Sequence, residues 1–295
     1  MILNASGCLD ALTAPDVARE LDAFVTKTVT PEPREGNEPV RIAEADVGML
    51  NSIGLANPGI SCFTRHVLPR LADLGVPVWV SVGGFSADDY ADLCVVLDPE
   101  PAVATIELNI SCPNVAAPDE AAHEIVSTAR AATGKPLYAK LSPGLADVAA
   151  AAVAAAEAGA DGLSLVNTLR GMALDARTLA PRLGTATGGL SGPALRPVAL
   201  AAVYACYQAV RLPIVGMGGV ETGRHALELV AAGASAVALG TVLFVDPRAP
   251  ARIRAELDAE AARCGFPSAF AAHGAAHQNR VKRPSDAVVM LGNEG

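Results

Sequence analysis

Residues Leu137 to Val166, LYAKLSPGLADVAAAAVAAAEAGADGLSLV, read as one complete strand-helix-strand unit. Leu137-Tyr138-Ala139-Lys140-Leu141 is a short β-favouring run that closes on Ser142-Pro143-Gly144, residues that turn a chain. Leu145 to Ala158 is rich in alanine, free of proline, and stops at Gly159, the residue that most readily takes the left-handed conformation ending a helix. Gly162 to Val166 is a second β-favouring run. A helix between two short strands is the connection that parallel neighbours in a sheet require.

The same alternation extends in both directions. Further β-favouring runs are Ile2 to Asn4, Ala23 to Thr26, Val76 to Ser81, Ala104 to Asn109, Ile214 to Gly216 and Ala236 to Leu239, which with the opening pair makes eight. Helical stretches lie between them, including Asp119 to Ala132, and Ala249 to Arg263 follows the last. Eight is the number that closes a (β/α)8 barrel, and 295 residues suit one such barrel better than two domains. The fold class is therefore α/β, a (β/α)8 TIM barrel spanning residues 1–276. Residues 277–295 lose the barrel periodicity and are expected to form a flexible tail, with His273 and His277 on the surface. Two connections, Lys27 to about Gly59 and Asn167 to about Gly192, are far longer than usual. Both leave the C-terminal ends of strands, where barrel active sites sit, and are read as functional loops.

Composition narrows the function classes. Hydrophobic residues make up 51% of the chain against 18% charged, with one Trp, so a core of Ala, Val, Leu and Ile is expected. A net charge of −9 with scattered basic residues argues against nucleic acid as a partner. The cysteines at 8, 62, 94, 112, 206 and 264 form no Cys-x-x-Cys pair, and the opening Met1-Ile2-Leu3-Asn4 is no secretory signal, so a reducing cytoplasm is expected. The most apolar helix, Val148 to Ala158, is too short to span a bilayer, and no membrane association is expected.

In such a barrel a polar residue at a strand's C-terminal end stands at the mouth. These ends read Asn4-Ala5-Ser6-Gly7, Lys27-Thr28, Asn109-Ile110-Ser111-Cys112-Pro113-Asn114, Lys140, Asn167-Thr168, Gly218-Gly219 and Gly240-Thr241. The last two, after strands seven and eight, are where this fold places a phosphate cradle, because glycine lets backbone N–H groups approach an anion. Their other reading is as tight turns. Lysine is scarce, and two of the four, Lys27 and Lys140, fall at strand ends. Lys140 could stabilise the anionic ring of a reduced flavin or form a Schiff base. Cys112 sits on a strand-end loop stiffened by Pro113, and a thiol can take a proton near neutral pH with modest help. Asn51, Asn109, Asn114 and Asn167 offer paired donors and acceptors suited to a planar ring with imide groups. No His or acidic cluster marks a metal site.

Several segments together resemble class 1 dihydroorotate dehydrogenases from Asn4 to about Gly274. They are Asn4-Ala5-Ser6-Gly7-Cys8, Lys27-Thr28-Val29-Thr30-Pro31-Glu32-Pro33-Arg34-Glu35-Gly36-Asn37, Asn51-Ser52-Ile53-Gly54-Leu55-Ala56-Asn57-Pro58-Gly59, the stretch Asn109 to Asn114, Asn167-Thr168-Leu169-Arg170-Gly171-Met172-Ala173, and Gly189-Leu190-Ser191-Gly192-Pro193. The resemblance implies FMN held by Ala5, Ser6, Gly7, Lys27, Thr28, Asn109, Lys140, Val166, Asn167, Gly192, Gly218, Gly219, Gly240 and Thr241. It implies dihydroorotate or orotate held by Lys27, Asn51, Gly54, Leu55, Asn109, Asn114, Asn167 and Thr168. Cys112 would be the catalytic base, removing the C5 proton while a hydride leaves C6 for the flavin, and Lys140 would stabilise the reduced ring. The reaction belongs to de novo pyrimidine (UMP) biosynthesis.

Cysteine at 112 is similar to class 1, since the membrane-associated class uses serine. The Asn167-Thr168-Leu169-Arg170-Gly171-Met172 and Glu32-Pro33-Arg34 segments look most like the NAD-linked 1B branch, which implies a partner subunit carrying FAD and an iron-sulfur cluster, in a homodimer or heterotetramer. Leu195-Arg196 departs from the family's more usual Ile-Lys. Two other barrels remain as alternatives: a dihydropyrimidine (dihydrouracil) dehydrogenase, which usually has His where this chain has Asn114, and a flavin-free phosphosugar lyase or aldolase using Lys140.

Overall fold

A computed structural model describes residues 1–110 and 118–278. Its strands are β1 (Ile2–Asn4), β2 (Phe24–Val25), β3 (Ile42–Ala45), β4 (Gly48–Asn51), β5 (Val78–Val82), β6 (Val103–Asn109), β7 (Leu137–Leu141), β8 (Gly162–Leu165), β9 (Leu169–Gly171), β10 (Gly188–Ser191), β11 (Ile214–Met217) and β12 (Ala236–Leu239). Eight form one sheet in the order β1-β12-β11-β8-β7-β6-β5-β2, with every pairing parallel. A parallel bridge between Leu3 and Ala23 joins the two ends, so the sheet closes into the expected barrel. All eight strands fall where the β-favouring runs were read, within two residues at each end.

The closing seam is short, and a side chain completes it. Asn4, fully buried, donates from Nδ2 to the Val25 carbonyl at 2.7 Å and accepts the Val25 N–H on Oδ1 at 2.8 Å. Its carboxamide thus substitutes for a peptide group in the ladder.

Period-two alternation sends the strand residues to two cores. Leu3, Val25, Trp79, Val215, Met217 and Ala238 point into the barrel, where Trp79 and Tyr138 lie 4.6 Å apart between ring centroids and fill its lower part. Gly162 makes room for them: a Cβ there would stand 2.3 Å from the Tyr138 ring. The opposite faces of the strands, with Leu108, Leu141, Leu163 and Leu239 among them, pack beneath the outer helices. The alanine-rich helix runs Val148–Glu157, three residues shorter at its start than expected, because Asp147 caps it by accepting the Ala149 and Ala150 N–H groups at 2.9 and 3.0 Å.

The two long connections are not plain loops, as the sequence reading had them. They carry β3 and β4, and β9 and β10, which form a separate antiparallel sheet in the order β3-β4-β10-β9. These strands are short, β10 is glycine-rich, and β4 and β10 meet from distant parts of the chain, so no local alternation announces them. Gly48 is required at the joint, where a Cβ would meet the Ser191 carbonyl oxygen at 2.1 Å.

At the other end of the chain a helix, Ala275–Gln278, runs across the boundary expected at residue 276. His273 and His277, expected at the surface, are half-buried. Their Nε2 atoms contact the Gly233 and Ala232 carbonyls at 3.0 and 2.9 Å, and His277 stacks on Tyr204. The tail proper, residues 279–295, lies outside the described residues, and among those described no helix is long and apolar enough to cross a membrane.

Candidate active site

The strand ends converge as the barrel geometry demands, and a connected set of polar side chains links five of them. Ser6 Oγ lies 3.4 Å from Thr28 Oγ1, which lies 3.0 Å from Ser81 Oγ. Asn109 Nδ2 donates to Thr28 Oγ1 at 3.2 Å, and Asn167 Nδ2 donates to Asn109 Oδ1 at 3.0 Å. Asn167 Oδ1 in turn accepts the Thr168 N–H at 2.8 Å. The network therefore brings together Ser6, Thr28, Asn109, Asn167 and Thr168, all predicted site residues. Asn109 is anchored from outside by the Tyr90 hydroxyl, which donates to its carbonyl at 2.8 Å. Cys112 and Asn114 lie outside the described residues.

Charge gathers beneath this network. Lys140 is buried inside the barrel, its Nζ 3.5 Å from Glu107 Oε1. Lys27 is half-buried nearby. Burial, and then the positive charge of Lys140, hold the Lys27 ammonium below the usual lysine range, with Cys8 opposing weakly. The Cys8 thiol is pushed up by burial against the pull of Lys140 and Lys27, so it stays protonated near neutral pH. Two ammoniums against one carboxylate leave the mouth net positive, a setting that attracts anions.

A second cluster lies where strands β11 and β12 end. Thr241 Oγ1 donates to Ser191 Oγ at 2.9 Å, tying the β12 end to the small sheet. The backbone passes closely here: at Gly219, φ +68°, a Cβ would stand 2.7 Å from the Gly192 carbonyl oxygen and 2.8 Å from Arg196 Cβ. Gly219 therefore packs on Gly192, and Thr241 on Ser191, so the ends of β10, β11 and β12 meet. Around Gly240 a Cβ would meet only Ala5 Cβ and Cys8 Sγ, at 3.7 Å, which places Ala5 beside Gly240. Gly7, at φ +78°, packs against the Lys27 stem, where a Cβ would stand 2.9 Å from Cδ. Val166 is buried at the end of β8, next to Asn167. Arg196, the family departure, pairs with Glu228 at 2.6 Å.

The remaining predicted positions stand on the small sheet and its following loop. Asn51 donates to the Gly189 carbonyl at 3.1 Å across β4 and β10. Gly54 and Leu55 both adopt left-handed backbone, φ 71° and 58°, which is costly for leucine. Asn57 holds that turn: it donates to the Leu55 carbonyl and to Thr30 Oγ1, both at 2.7 Å, and accepts the Gly59 N–H at 2.8 Å. Arg34 adds a bond from Nε to the Gly54 carbonyl at 3.3 Å.

Sequence reading did not single out Ser81, Glu107, Asn57 or Ser164. For Glu107 a signal existed, since Thr105, Glu107 and Asn109 alternate with apolar residues and mark an inward polar face of β6. Ser164, in register with Lys140, has a buried Oγ without a hydrogen-bond partner. Among the described residues no group of three or more His, Cys, Asp or Glu could hold a metal ion.

Comparison with known proteins places these features in a lineage. The family model described as Dihydroorotate dehydrogenase matches residues 1–260. The catalytic subunit of dihydroorotate dehydrogenase B (NAD(+)) from Desulforudis audaxviator is 48% identical over 265 residues, covering 88% of this chain and 86% of that protein. A putative dihydroorotate dehydrogenase A (fumarate) from Solibacter usitatus is 46% identical over 244 residues, covering 80% of each. Among solved structures, a ligand-free DHODH from Eimeria tenella superposes with a TM-score of 0.79 at 23% identity, covering 94% of this chain and 89% of that one, a likeness of fold.

Proposed function

Because the chain belongs to the dihydroorotate dehydrogenase family and oxidises dihydroorotate in pyrimidine biosynthesis, we propose that it does so as a class 1 enzyme with FMN in the barrel mouth and Cys112 as base. The observation that carries this reading is the meeting of the glycine-rich ends of β10, β11 and β12 beside a polar mouth at β1, β2, β6, β7 and β8 that holds two lysines. Those are the two environments a phosphate tail and an electron-accepting ring need.

The residues present fit the group. Ala5, Gly192, Gly218, Gly219, Gly240 and Thr241 would take the phosphate, since the glycines present backbone N–H groups there with no side chain between. Ser6, Gly7, Thr28, Asn109, Lys140, Val166 and Asn167 would border the ring, and the unpartnered Ser164 hydroxyl lies in register with Lys140 beneath it. FMN bound there supplies the two-electron acceptor for the hydride from C6 of dihydroorotate.

The chain's own work is positioning and proton handling. Lys27, Asn51, Gly54, Leu55, Asn109, Asn114, Asn167 and Thr168 orient the substrate, with Lys27 facing its carboxylate and the asparagines its imide edges. Cys112 takes the C5 proton, and Lys140 holds positive charge where negative charge develops. The relatives named catalytic subunits support a further element. A second subunit carrying FAD and an iron-sulfur cluster would draw electrons onward to NAD, in a heterotetramer built on a homodimer.

Anaerobic addition of dihydroorotate to the purified protein tests the reading. Visible flavin absorption that bleaches on addition, with FMN identified by mass after acid extraction, is the expected result. Flavin absorption that persists would remove dihydroorotate as the reductant, and a colourless protein would remove the cofactor.

A further inference from the structure

Glu107 is a buried carboxylate that the chemistry above does not use. It sits on the inward face of β6 with 1% exposure, between Thr105 and Asn109, and its only ion-pair partner among the described residues is Lys140, 3.5 Å away. Among the described residues, Glu107 is the one fully buried acid and Lys140 the one fully buried base. A barrel interior gains little stability from such a pair, because desolvating both charges offsets their attraction and an apolar pair of equal volume would pack as well. The pair therefore calls for a role beyond packing.

The surroundings of Lys140 indicate that role. From β6 it faces Glu107, from the end of β2 it faces Lys27, and from the loop after β1 it faces Cys8. On β8 it has in register the uncharged Ser164. Lys140 thus has a second ammonium, Lys27, as a neighbour, and among the described residues Glu107 is the one carboxylate ion-paired with it.

We propose that Glu107 is a positioning residue that keeps Lys140 protonated in both oxidation states of the bound flavin, so that the lysine's charge is in place before electrons arrive. The inference rests on the flavin reading given above. Reduction places two electrons and one proton on the ring and leaves it anionic above neutral pH. With Lys140 already charged, no second proton is drawn in. Without Glu107, Lys140 is neutral beside the oxidised ring and takes a proton from solvent when the ring becomes anionic, so reduction consumes two protons for two electrons.

The number of protons taken up is read from the midpoint potential of the bound flavin between pH 7 and 9. For a two-electron couple each tenfold change corresponds to about 30 mV, so one proton gives about 30 mV per pH unit and two give about 59 mV. The wild-type protein is expected to show the smaller slope, Glu107→Gln the larger, and Glu107→Gln/Lys140→Met the smaller again. A wild-type slope already at the larger value, or an unchanged slope in Glu107→Gln, overturns the inference. If Glu107→Gln does not fold but the double variant does, the rescue itself shows that the carboxylate serves the lysine's charge. If neither folds, Glu107 is needed for something other than Lys140 and the inference falls. A wild-type protein without flavin would refute the cofactor reading instead, and is recognised before any potential is measured.

Discussion

Replacing Asn4 by alanine should loosen the barrel at its seam. The side chain is wholly buried and makes two hydrogen bonds to one residue, Val25, at 2.7 and 2.8 Å, and Val25 is itself buried. In Asn4→Ala both the N–H and the carbonyl of Val25 lose these partners without gaining water. An unsatisfied buried group costs about 1–3 kcal/mol, so two of them imply a loss of about 4 kcal/mol. For a chain of this size about 1 kcal/mol moves the melting temperature by about 2–4 °C, which predicts a fall of about 8–16 °C by calorimetry at fixed scan rate. Asn4→Asp sharpens the test, since it keeps the acceptor for the Val25 N–H but turns a second oxygen toward the Val25 carbonyl. Burial beside that carbonyl raises the folded-state pKa of the new carboxyl above its unfolded value of about 3.9. The variant is then most stable below that value and loses stability as pH rises through the raised one. An Asn4→Ala protein melting within about 2 °C of wild type would refute the view that this carboxamide seals the barrel, as would an Asn4→Asp protein indifferent to pH between 5 and 7.

Gly219→Ala places a Cβ 2.7 Å from the Gly192 carbonyl at φ +68°, and should weaken FMN binding to the apoprotein by at least about tenfold in a fluorescence titration; an unchanged affinity would move the phosphate elsewhere. Cys112→Ala should retain flavin yet slow its reduction by dihydroorotate by about 10²–10⁴-fold in stopped flow, and loss of the flavin in that variant would contradict the assignment. Because burial and Lys140 hold Lys27 below the usual lysine range, the KM for dihydroorotate should rise as alkaline pH removes that proton. Lys27→Met, weaker throughout, should lose the dependence. The Asp246 carboxylate is held low by Arg252, and that of Glu256 by the Gly223 N–H and then Arg252. Their contribution to stability is present above the ordinary carboxylate range and is lost as pH falls through the depressed values. Arg252→Met should therefore flatten the acid side of the stability profile, and an unaltered acid limb would show the cluster to be idle.

The barrel is legible in the sequence because each of its strands is a contiguous β-favouring run and three of the outer helices carry a glycine stop, at Gly134, Gly159 and Gly265. The polar strand ends follow from it, since a closed barrel leaves them nowhere to point but the mouth; hence Ser6, Thr28, Asn109, Asn167 and Thr168 meet as read. The small sheet is not legible. Ile42–Ala45 carries no clear pattern and pairs only with the neighbouring β4, while Gly188–Ser191 becomes a strand through pairing with β4, far back in the chain. Glu107 hides for a different reason. An acid in a strand reads as a solvent-facing residue, and only its alternation with Thr105 and Asn109 betrays an inward course. Asp147 also caps its helix later than the alanine run suggested.

The small sheet also sets a timetable for making this protein. Asn51 reaches the Gly189 carbonyl, a partner 138 residues downstream, and β1 closes against β12 still later in the chain. A nascent chain leaving the ribosome therefore carries β4 with one edge bare from residue 51 until residue 188 is made, and bare edges invite pairing with other chains. On the proposed reading, capture of the cofactor would wait for the last two barrel strands, whose ends carry Gly218, Gly219 and Gly240. Translation slowed shortly before residue 188 would lengthen that vulnerable interval, and translation slowed after residue 241 would not.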